Sequence, residues 1–371
     1  MIRSILTNIL TKFNTKSKIS KLIISSHKYA AAASSRTISS NVSSSSSTTT
    51  IRIFEDVPIN SEIFKYKRLR APEIFKETCP PKSSLMLVRD FIDDSLYNPN
   101  YGYFSKNAII FSLEKDFEFN EIKDNLEFGN LVWHTPTELF KNIFDWNEVI
   151  PDHCFFLACE DNFAHDLIRY DTMTEKPYQA VVITNDKGDF DELYEPAADP
   201  LISRYLKLRN QTMYKSPALQ NRFLRQIRNK LPFAPNLTQS EFIPTKMSSF
   251  LEILRDYFPY HRLIISDFYK LPDTIKGIDA PVVQTRHQQT MIPCSTFMVS
   301  PGWFDIFFPT NFELLRDIYQ LVCRSCHSEG KIRVLSQKEF LKRYADLERT
   351  KTKSGEIPLL LYYENVKFLL S

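Results

Sequence analysis

The pattern of hydrophobic and polar positions predicts short buried strands that alternate with helices. Apolar runs of strand length lie at residues 107–112 (NAIIFS), 154–159 (CFFLAC), 179–184 (QAVVIT) and 261–268 (HRLIISDF). Helical spacing occurs at residues 84–97, 218–231 and 245–258, and a longer helix is predicted from near Asn311 through Cys326. This alternation predicts an α/β fold in which helices cover both faces of a sheet.

Local signals mark the ends of some elements. In TPTELF, Thr135, Pro136 and Glu138 have the chemistry of a helix start, because proline is favoured in the first turn and threonine can cap it. Residues 51–82 contain four prolines, which predict an extended lead-in. The run PLLLYYENVKFLL at 358–370 predicts either a helix or an edge strand.

The first fifty residues differ in composition from the rest of the chain. They contain seven Lys or Arg and no Asp or Glu, and they end in a Ser/Thr tract. Their apolar residues Ile2, Ile5, Leu6, Ile9 and Leu10 fall on one helical stripe. A basic, amphipathic, Ser-rich segment without acids is typical of a mitochondrial transit peptide. We therefore predict a mitochondrial protein, located in the matrix, in which residues 1–50 are a transit peptide and linker.

Removing this segment changes the charge balance. The whole chain has a net charge of +3, but beyond residue 50 there are 44 acidic residues against 47 − 7 = 40 basic ones, which is about −4. No long Lys/Arg run remains, which argues against a nucleic-acid partner. The sequence contains no stretch of eighteen apolar residues, so we predict no membrane span.

The motif CRSCH at 323–327 has the C-x-x-C-H spacing of covalent haem attachment. Its cysteines could also be half of a zinc site or a redox pair. However, the sequence has no second C-x-x-C, and the motif follows the apolar helical stripe that contains Leu314, Leu315 and Ile318. We expect Cys323 and Cys326 to pack as small hydrophobes, with no metal and no haem. Six cysteines in total are too few for a disulfide scaffold and fit a reducing compartment.

Six segments in a fixed order carry a resemblance to a known family. They are FIDDSLYNPNYGYFS, TPTELF, FFLACEDNFAHD, LIISDF, TRHQQT and PGWFDIFFPTNFELL, spread over residues 91–315. Together they resemble the mitochondrial protein arginine methyltransferases that assist assembly of respiratory complex I, the MidA-like proteins. The resemblance implies a Rossmann-like methyltransferase sheet with a helical insertion at about 200–258, and S-adenosylmethionine as the cofactor.

In that family a tyrosine-rich loop and a Thr-Pro-Glu helix lie at the mouth of the cofactor pocket. The resemblance therefore implies that the loop at 95–105 is part of a lid over the cofactor. The cofactor-binding residues implied are Tyr101, Gly102 and Tyr103 in the loop, Pro136 and Glu138 in the helix, and Asp145 beside the adenine ring.

The sequence departs from the family most clearly in its glycines. A methyltransferase needs a glycine-rich turn, because a Cβ there would keep the backbone away from the cofactor. This chain has seven glycines, and even its closest pairs, such as Gly277 and Gly302, are 25 positions apart, so no G-x-G pattern exists. Two βα units of about thirty residues each are predicted to be missing between Lys141 and Asn142. The predicted sheet is therefore truncated by loss of its first βα units.

Other positions shared with the family give candidate site residues. Glu160, Asp161 and His165 are candidates for catalysis, but the two acids could equally sit at a helix N-terminus, and His165 could be a packed or surface histidine. Arg286, His287 and Asp305 are candidates for binding a partner. A solvated loop would also account for the first two, and a turn or cap would account for Asp305.

Three functions remain open from the sequence. The preferred one is a non-catalytic assembly factor, with a degenerate methyltransferase-like domain at 84–330, a lead-in at 51–83 and a C-terminal segment at 331–371. Its partner would be a mitochondrial protein, such as a complex I subunit or assembly intermediate. The second is an active protein arginine methyltransferase whose cofactor motif is unrecognised or lost with a missed exon. The third is a haem or metal protein built around CRSCH.

Overall fold

The fold combines three β-sheets with helices, as the computed structural model shows for residues 23–24, 52–53, 65–106, 119–127, 154–158, 163–229, 231, 233–271, 279–287, 290–323 and 332–371. The strands are β1 (Ile23–Ile24), β2 (Arg52–Ile53), β3 (Lys67–Arg68), β4 (Ser84–Leu87), β5 (Cys154–Ala158), β6 (Asp166–Tyr170), β7 (Pro177–Thr184), β8 (Phe190–Pro196), β9 (Glu241–Ile243), β10 (Arg262–Phe268), β11 (Val282–His287), β12 (Thr290–Cys294), β13 (Asp305–Phe307), β14 (Arg333–Ser336) and β15 (Val366–Leu370). The helices are α1 (Ala71–Ile74), α2 (Val88–Tyr97), α3 (Tyr103–Lys106), α4 (Pro200–Arg209), α5 (Arg222–Arg228), α6 (Thr245–Tyr257), α7 (Phe312–Val322) and α8 (Gln337–Tyr344). The α/β class is confirmed.

One sheet has five strands in the order β1-β5-β10-β15-β14. β5 runs parallel to both β1 and β10, whereas β15 runs antiparallel to β10 and β14. β5 and β10 confirm the strands predicted at 154–159 and 261–268, and residues 263–266 of β10 are buried. The predicted deletion between Lys141 and Asn142, the strand at 107–112 and the helix start at 135–140 lie outside the described residues.

Of the two structures predicted at 358–370, a strand does form at Val366–Leu370, but its predicted place at the edge of the sheet is wrong. Pro358–Leu360 is a 3-10 turn, and β15 lies inside the sheet, paired with β10 on one side and β14 on the other. Its side chains point to two cores. The Phe368 ring stacks on Phe340 at 3.9 Å, while Leu369 belongs to the cluster formed by α4, α6, α7 and β10. Pairing on both edges involves only the backbone, so the side-chain pattern does not reveal it.

The second sheet is mostly antiparallel, which the sequence did not predict. It has the order β2-β8-β7-β4-β3, with β6 paired to both β7 and β9. β7 confirms the strand predicted at 179–184. β8 was missed because its sequence FDELYEP carries three acids, although Leu193 and Tyr194 within it are buried. A third sheet has the order β12-β11-β13.

The helix predicted at 84–97 is wrong in its first turn. Ser84–Leu87 forms β4, and the helix α2 begins at Val88. All four residues of β4 are buried, so both of its faces are covered and no alternation distinguishes it from a helix. α2 itself is buried along almost its whole length, including four ionisable residues, Arg89, Asp90, Asp93 and Asp94.

The helical region at 200–258 contains α4, α5 and α6, together with the short strand β9. α6 confirms the helix predicted at 245–258, and α5 occupies the middle of the one predicted at 218–231. α7 begins after Asn311, whose side chain accepts a hydrogen bond from the Leu314 amide. It ends at Val322, with Cys323 as the C-cap residue, and not at Cys326 as predicted. Within the described residues, no helix has the length and apolarity needed to span a membrane.

Candidate functional site

A cavity lies beside the carboxyl end of β10 and the segment that follows β5. In sheets with parallel strands, this end of the strands is where ligands bind. The cavity has about 700 Å³ of space between its lining atoms, the open mouth included. Its polar lining residues are His165, Tyr205, Arg209, Tyr214, Glu241, Ser248, Asp267, Asp279, Thr310 and Asn311. Its apolar wall comes from Phe163, Phe242, Met247, Phe308, Leu314, Leu315 and Ile318.

A buried ion pair forms one wall of the cavity. Arg209, near the end of α4, donates from Nη1 to Glu241 Oε1 at 2.9 Å and from Nη2 to the Tyr170 hydroxyl. Burial alone would lower the pKa of Arg209, but Glu241, Tyr170 and Tyr205 together outweigh it and raise that pKa. The Ser216 hydroxyl donates to Glu241 Oε2 at 2.7 Å. Both oxygens of the Glu241 carboxylate therefore have partners within the protein.

Two aspartates on the cavity wall have different environments. Asp267, at the end of β10, accepts hydrogen bonds from the Phe268 amide at 2.7 Å and from the Thr310 hydroxyl. Asp279 has its pKa raised to about 6 by burial, and the negative charge of Glu241 adds to this shift. Asp279 thus faces a carboxylate, and a cation bound in the cavity would favour its ionised form.

His165 lies at the cavity wall as a neutral, packed side chain. Its Nδ1 donates to the Phe163 carbonyl at 2.6 Å, and its ring stacks on Phe308 with 3.9 Å between centroids. Burial lowers the pKa of His165 to about 3, an effect that the hydrogen bond to Phe163 only partly offsets. A histidine with this pKa is a weak proton acceptor at neutral pH.

A second buried network fixes the elements around the cavity. Arg89 of α2 donates to Asp166 at 2.6 Å and forms two hydrogen bonds to Asp199, at 2.9 and 2.7 Å. The Thr245 hydroxyl, at the start of α6, donates to Asp166 at 2.5 Å. One guanidinium thus joins α2 to β6 and to the beginning of α4. This arrangement positions β6, the neighbour of His165, and α6, which bears Met247 and Ser248.

The tyrosine loop lies in a different part of the molecule. Tyr101, Gly102 and Tyr103 are buried, and Tyr101 borders a broad cleft with Lys82 and Trp303, not the cavity that contains His165. The structure therefore separates the predicted cofactor loop from the one candidate catalytic residue that it describes.

The Tyr101 side chain is engaged within its own segment. Its hydroxyl bonds to both carboxylate oxygens of Asp94, at 2.8 and 2.7 Å, and the Asn98 amide donates to the same carboxylate at 2.8 Å. Burial raises the pKa of Asp94 to about 6, although both hydrogen bonds lower it. The backbone continues this packing, since the Gly302 amide donates to the Ser95 carbonyl at 3.0 Å. The loop is a packed corner held by Asp94.

The remaining sequence candidates are dispersed. Asp305 was predicted to bind a partner, but it is buried in β13, where burial raises its pKa to about 7, so its carboxylate has no surface from which to do so. Arg286 and His287 lie on β11, paired with Met291 and Thr290 of β12. Pro136, Glu138, Asp145, Glu160 and Asp161 lie outside the described residues.

The sequence did not single out Glu241, Arg209 or Asp279. Arg209 and Glu241 are 32 positions apart and meet only because α4 and β9 pack together. The sequence did contain one indication that Glu241 is buried: it is the first acidic residue after Asp199 and is followed by the apolar pair Phe242 and Ile243.

The described residues contain no group of three or more His, Cys, Asp or Glu side chains that could hold a metal ion. Cys323 is buried, with its thiol 3.8 Å from the Leu251 carbonyl.

Comparison with known proteins gives one family match. A profile of the family described as "Putative S-adenosyl-L-methionine-dependent methyltransferase" matches residues 120–331, which is more than half of the chain. The match includes β5 to β13 and the cavity. No curated protein matches the sequence.

Two crystal structures of one superfamily from Burkholderia thailandensis are similar to this structure. The first, a "likely methyl transferase" bound to S-adenosyl-homocysteine, is 12% identical, with a TM-score of 0.41 over 81% of this chain and 89% of that chain. The second, described as uncharacterized, is 11% identical, with a TM-score of 0.40 over the same shares of the two chains.

Proposed function

The chain belongs to a family of S-adenosyl-L-methionine-dependent methyltransferases, and from this premise we propose that it is a non-catalytic member that binds a protein partner. The observation that carries the proposal is the spacing of its glycines. The family's chemistry requires the cofactor, and the cofactor requires a turn where backbone can approach it without an intervening Cβ. This sequence has no two glycines closer than 25 positions and therefore no G-x-G pattern for such a turn.

The described glycines also have other roles. A Cβ on Gly302 would lie 1.8 Å from the Tyr101 carbonyl oxygen, and one on Gly102 would lie 2.5 Å from the Asn98 nitrogen. These two glycines let the tyrosine loop and the Gly302 turn pack together. Gly188 and Gly355 lie in turns with φ of +98° and +84°. In the part of the chain that the structure describes, no glycine opens the backbone toward the cavity, and the residues there do not form a cradle for the cofactor.

The partner group that we propose for the cavity is an arginine side chain. Asp279 supplies a carboxylate, and the rings of Tyr205 and Tyr214 line the same space. A guanidinium pairs with carboxylates and stacks on aromatic rings. The Arg209 guanidinium already lies 6.0 and 5.6 Å from the ring centroids of Tyr205 and Tyr214, so a second guanidinium would pair chiefly with the Asp279 carboxylate. The resemblance to protein arginine methyltransferases favours the same group. The protein would thus have kept the ability to bind arginine after it lost the methyltransferase activity.

The proposed setting is the mitochondrion, with a subunit or assembly intermediate of respiratory complex I as the partner. The acid-free, amphipathic segment 1–50 supports import. The six ordered segments that resemble the complex I assembly factors support the partner. The competing function is active protein arginine N-methyltransferase, favoured by the cavity at the carboxyl end of β10.

Calorimetric titration with S-adenosylmethionine tests the loss of the cofactor site. We expect no measurable heat and no thermal shift, whereas a ligand at a hundred times its dissociation constant would stabilise the native state by about 2.7 kcal/mol. The Burkholderia protein, which was crystallised with S-adenosyl-homocysteine, is the positive control for that product. Micromolar binding, or methyl transfer to an arginine-containing protein, would replace this proposal with the competing one.

A further inference from the structure

One segment of the chain is strongly basic. From Pro200 to Ser240 there is no Asp or Glu, while there are eight Lys or Arg. The rest of the chain beyond residue 50 carries an excess of acids, so this segment has the opposite sign to its surroundings. It comprises α4, α5 and the connections around them.

The same segment presents large apolar side chains to solvent. Phe223, Leu224 and Ile227 lie on one side of α5, at positions i, i+1 and i+4, and Leu231 and Phe233 follow the helix. Phe223 is 72% exposed, Leu224 61%, and Phe233 is fully exposed. We call these five residues the α5 face. Single exposed hydrophobes are common, but five within eleven positions are unusual on a soluble domain.

The opposite side of α5 is anchored to the protein. Arg225 donates to Glu175 at 2.6 Å, and Arg222 lies 3.7 Å from the same carboxylate. Asn229 donates to the Thr172 carbonyl at 3.2 Å. These contacts hold α5 against the turn between β6 and β7. Because the basic side of the helix faces that turn, its apolar side points toward solvent.

The basic segment also contains cations without an ion pair among the described residues, one of them at the edge of the α5 face. Arg204, Arg209, Arg222 and Arg225 are paired with acids. Lys207, Lys215 and Arg228 are exposed and have no such partner in the described part of the chain. Arg228 is one helical turn from Leu224, at the edge of the apolar side. An apolar face bordered by free positive charge is thus available for binding.

We propose that the α5 face docks on an anionic lipid surface. Apolar side chains that project from a short helix bury readily in the boundary between headgroups and acyl chains, and adjacent Lys and Arg are attracted to acidic headgroups. A protein partner would require a shape to match, whereas these side chains project separately: Phe233 follows the helix with φ of +64° and is fully exposed. This inference does not depend on the loss of the cofactor site.

Co-sedimentation of the full chain with vesicles tests the proposal. We expect binding to phosphatidylcholine vesicles that contain phosphatidylglycerol, weaker binding to phosphatidylcholine alone, and a decrease as salt is added. The double variant Phe223→Ser, Leu224→Ser should lower the partition coefficient roughly tenfold or more, because two large apolar contacts are lost. Arg228→Gln should lower it on anionic vesicles only.

The matched control changes two exposed leucines elsewhere, Leu126→Ser and Leu361→Ser, which are 77% and 55% exposed. Every variant keeps the basic segment 1–50, so any binding by that segment is the same in all of them. Equal binding by the wild type and the Phe223, Leu224 variant would overturn the proposal. Loss of an acidic protein partner in that variant, without any vesicle binding by the wild type, would show a protein-docking surface instead.

Discussion

Arg89 illustrates how single residues determine the stability of this fold. Its guanidinium is 3% exposed and satisfies two carboxylates, those of Asp166 and Asp199. While all its members are present, such a buried ion-pair cluster contributes little to the free energy of unfolding, because the cost of desolvating the charges offsets their attraction. Once the cation is removed, two buried acids are left without their partner.

We therefore expect Arg89→Met to lower the free energy of unfolding by about 3–5 kcal/mol, measured by urea denaturation at neutral pH. The matched control is Arg68→Met. Arg68 also binds a carboxylate, Glu195, at 2.7 Å, but its side chain is 53% exposed. That change should cost less than about 1 kcal/mol. Equal losses in the two variants would contradict the role given to burial.

Asp305 should make the stability depend on pH. Burial raises its pKa to about 7 in the folded protein, from an ordinary value of 3.8. Because the folded state binds this proton more tightly than the unfolded state, the contribution is favourable at low pH and is lost as pH rises through 7. The slope attributable to this group is at most about 1.4 kcal/mol per pH unit between those two values.

Asp305→Asn removes the titrating group with little change of shape. The free energy of unfolding should then fall less steeply with pH than in the wild type, as measured by denaturation at a series of pH values from about 5 to 7. Asp186→Asn, at an exposed position in the turn between β7 and β8, is the control and should keep the wild-type slope. An unchanged slope in Asp305→Asn would refute the assignment.

At the scale of elements, the tyrosine loop depends on the turn that contains Gly302. This turn and Gly355 have the same φ of +84°, but only Gly302 is in close contact, with Tyr101. Gly355→Ala should cost about 1–2 kcal/mol for the left-handed backbone alone. Gly302→Ala carries the same cost and also forces the Tyr101 backbone to move. Its melting temperature should fall clearly further, and equal decreases would show that the contact is unimportant.

The elements that the sequence predicted correctly have patterns visible in their own residues. β10 and α6 are examples, because a continuous apolar run and a helical stripe are local properties. β8 was not predicted because it contains three acidic residues. β4 was not predicted because a helix follows it directly, without an intervening loop. The ion pair in the cavity wall, Arg209 with Glu241, was not predictable in this way, and neither was the neighbouring pair of Arg89 with Asp199, because packing creates both pairs. Two lining residues have a local signal: His165 was a candidate from the sequence, and Asp267 lies at the end of an apolar strand, where ligands bind in parallel sheets.

At the scale of the whole molecule, the mitochondrial location is a prediction from the composition of residues 1–50. Fused to a fluorescent protein, residues 1–50 should direct it to mitochondria, because the segment is basic, amphipathic and free of acids. The same fusion with Arg3→Glu, Lys12→Glu and Lys16→Glu should stay in the cytosol. A cytosolic signal from the unchanged segment would remove the basis for a mitochondrial function.

The position of β15 has a consequence for synthesis. β10 and β14 are joined only through β15, which follows every other described strand in the sequence. Roughly a hundred residues separate β10 from β15, so at about 5–20 residues per second the ribosome leaves one edge of β10 open for at least several seconds. During that time the nascent chain exposes an apolar strand that can pair with other chains. We expect the five-stranded sheet to close only after β15 has been synthesised.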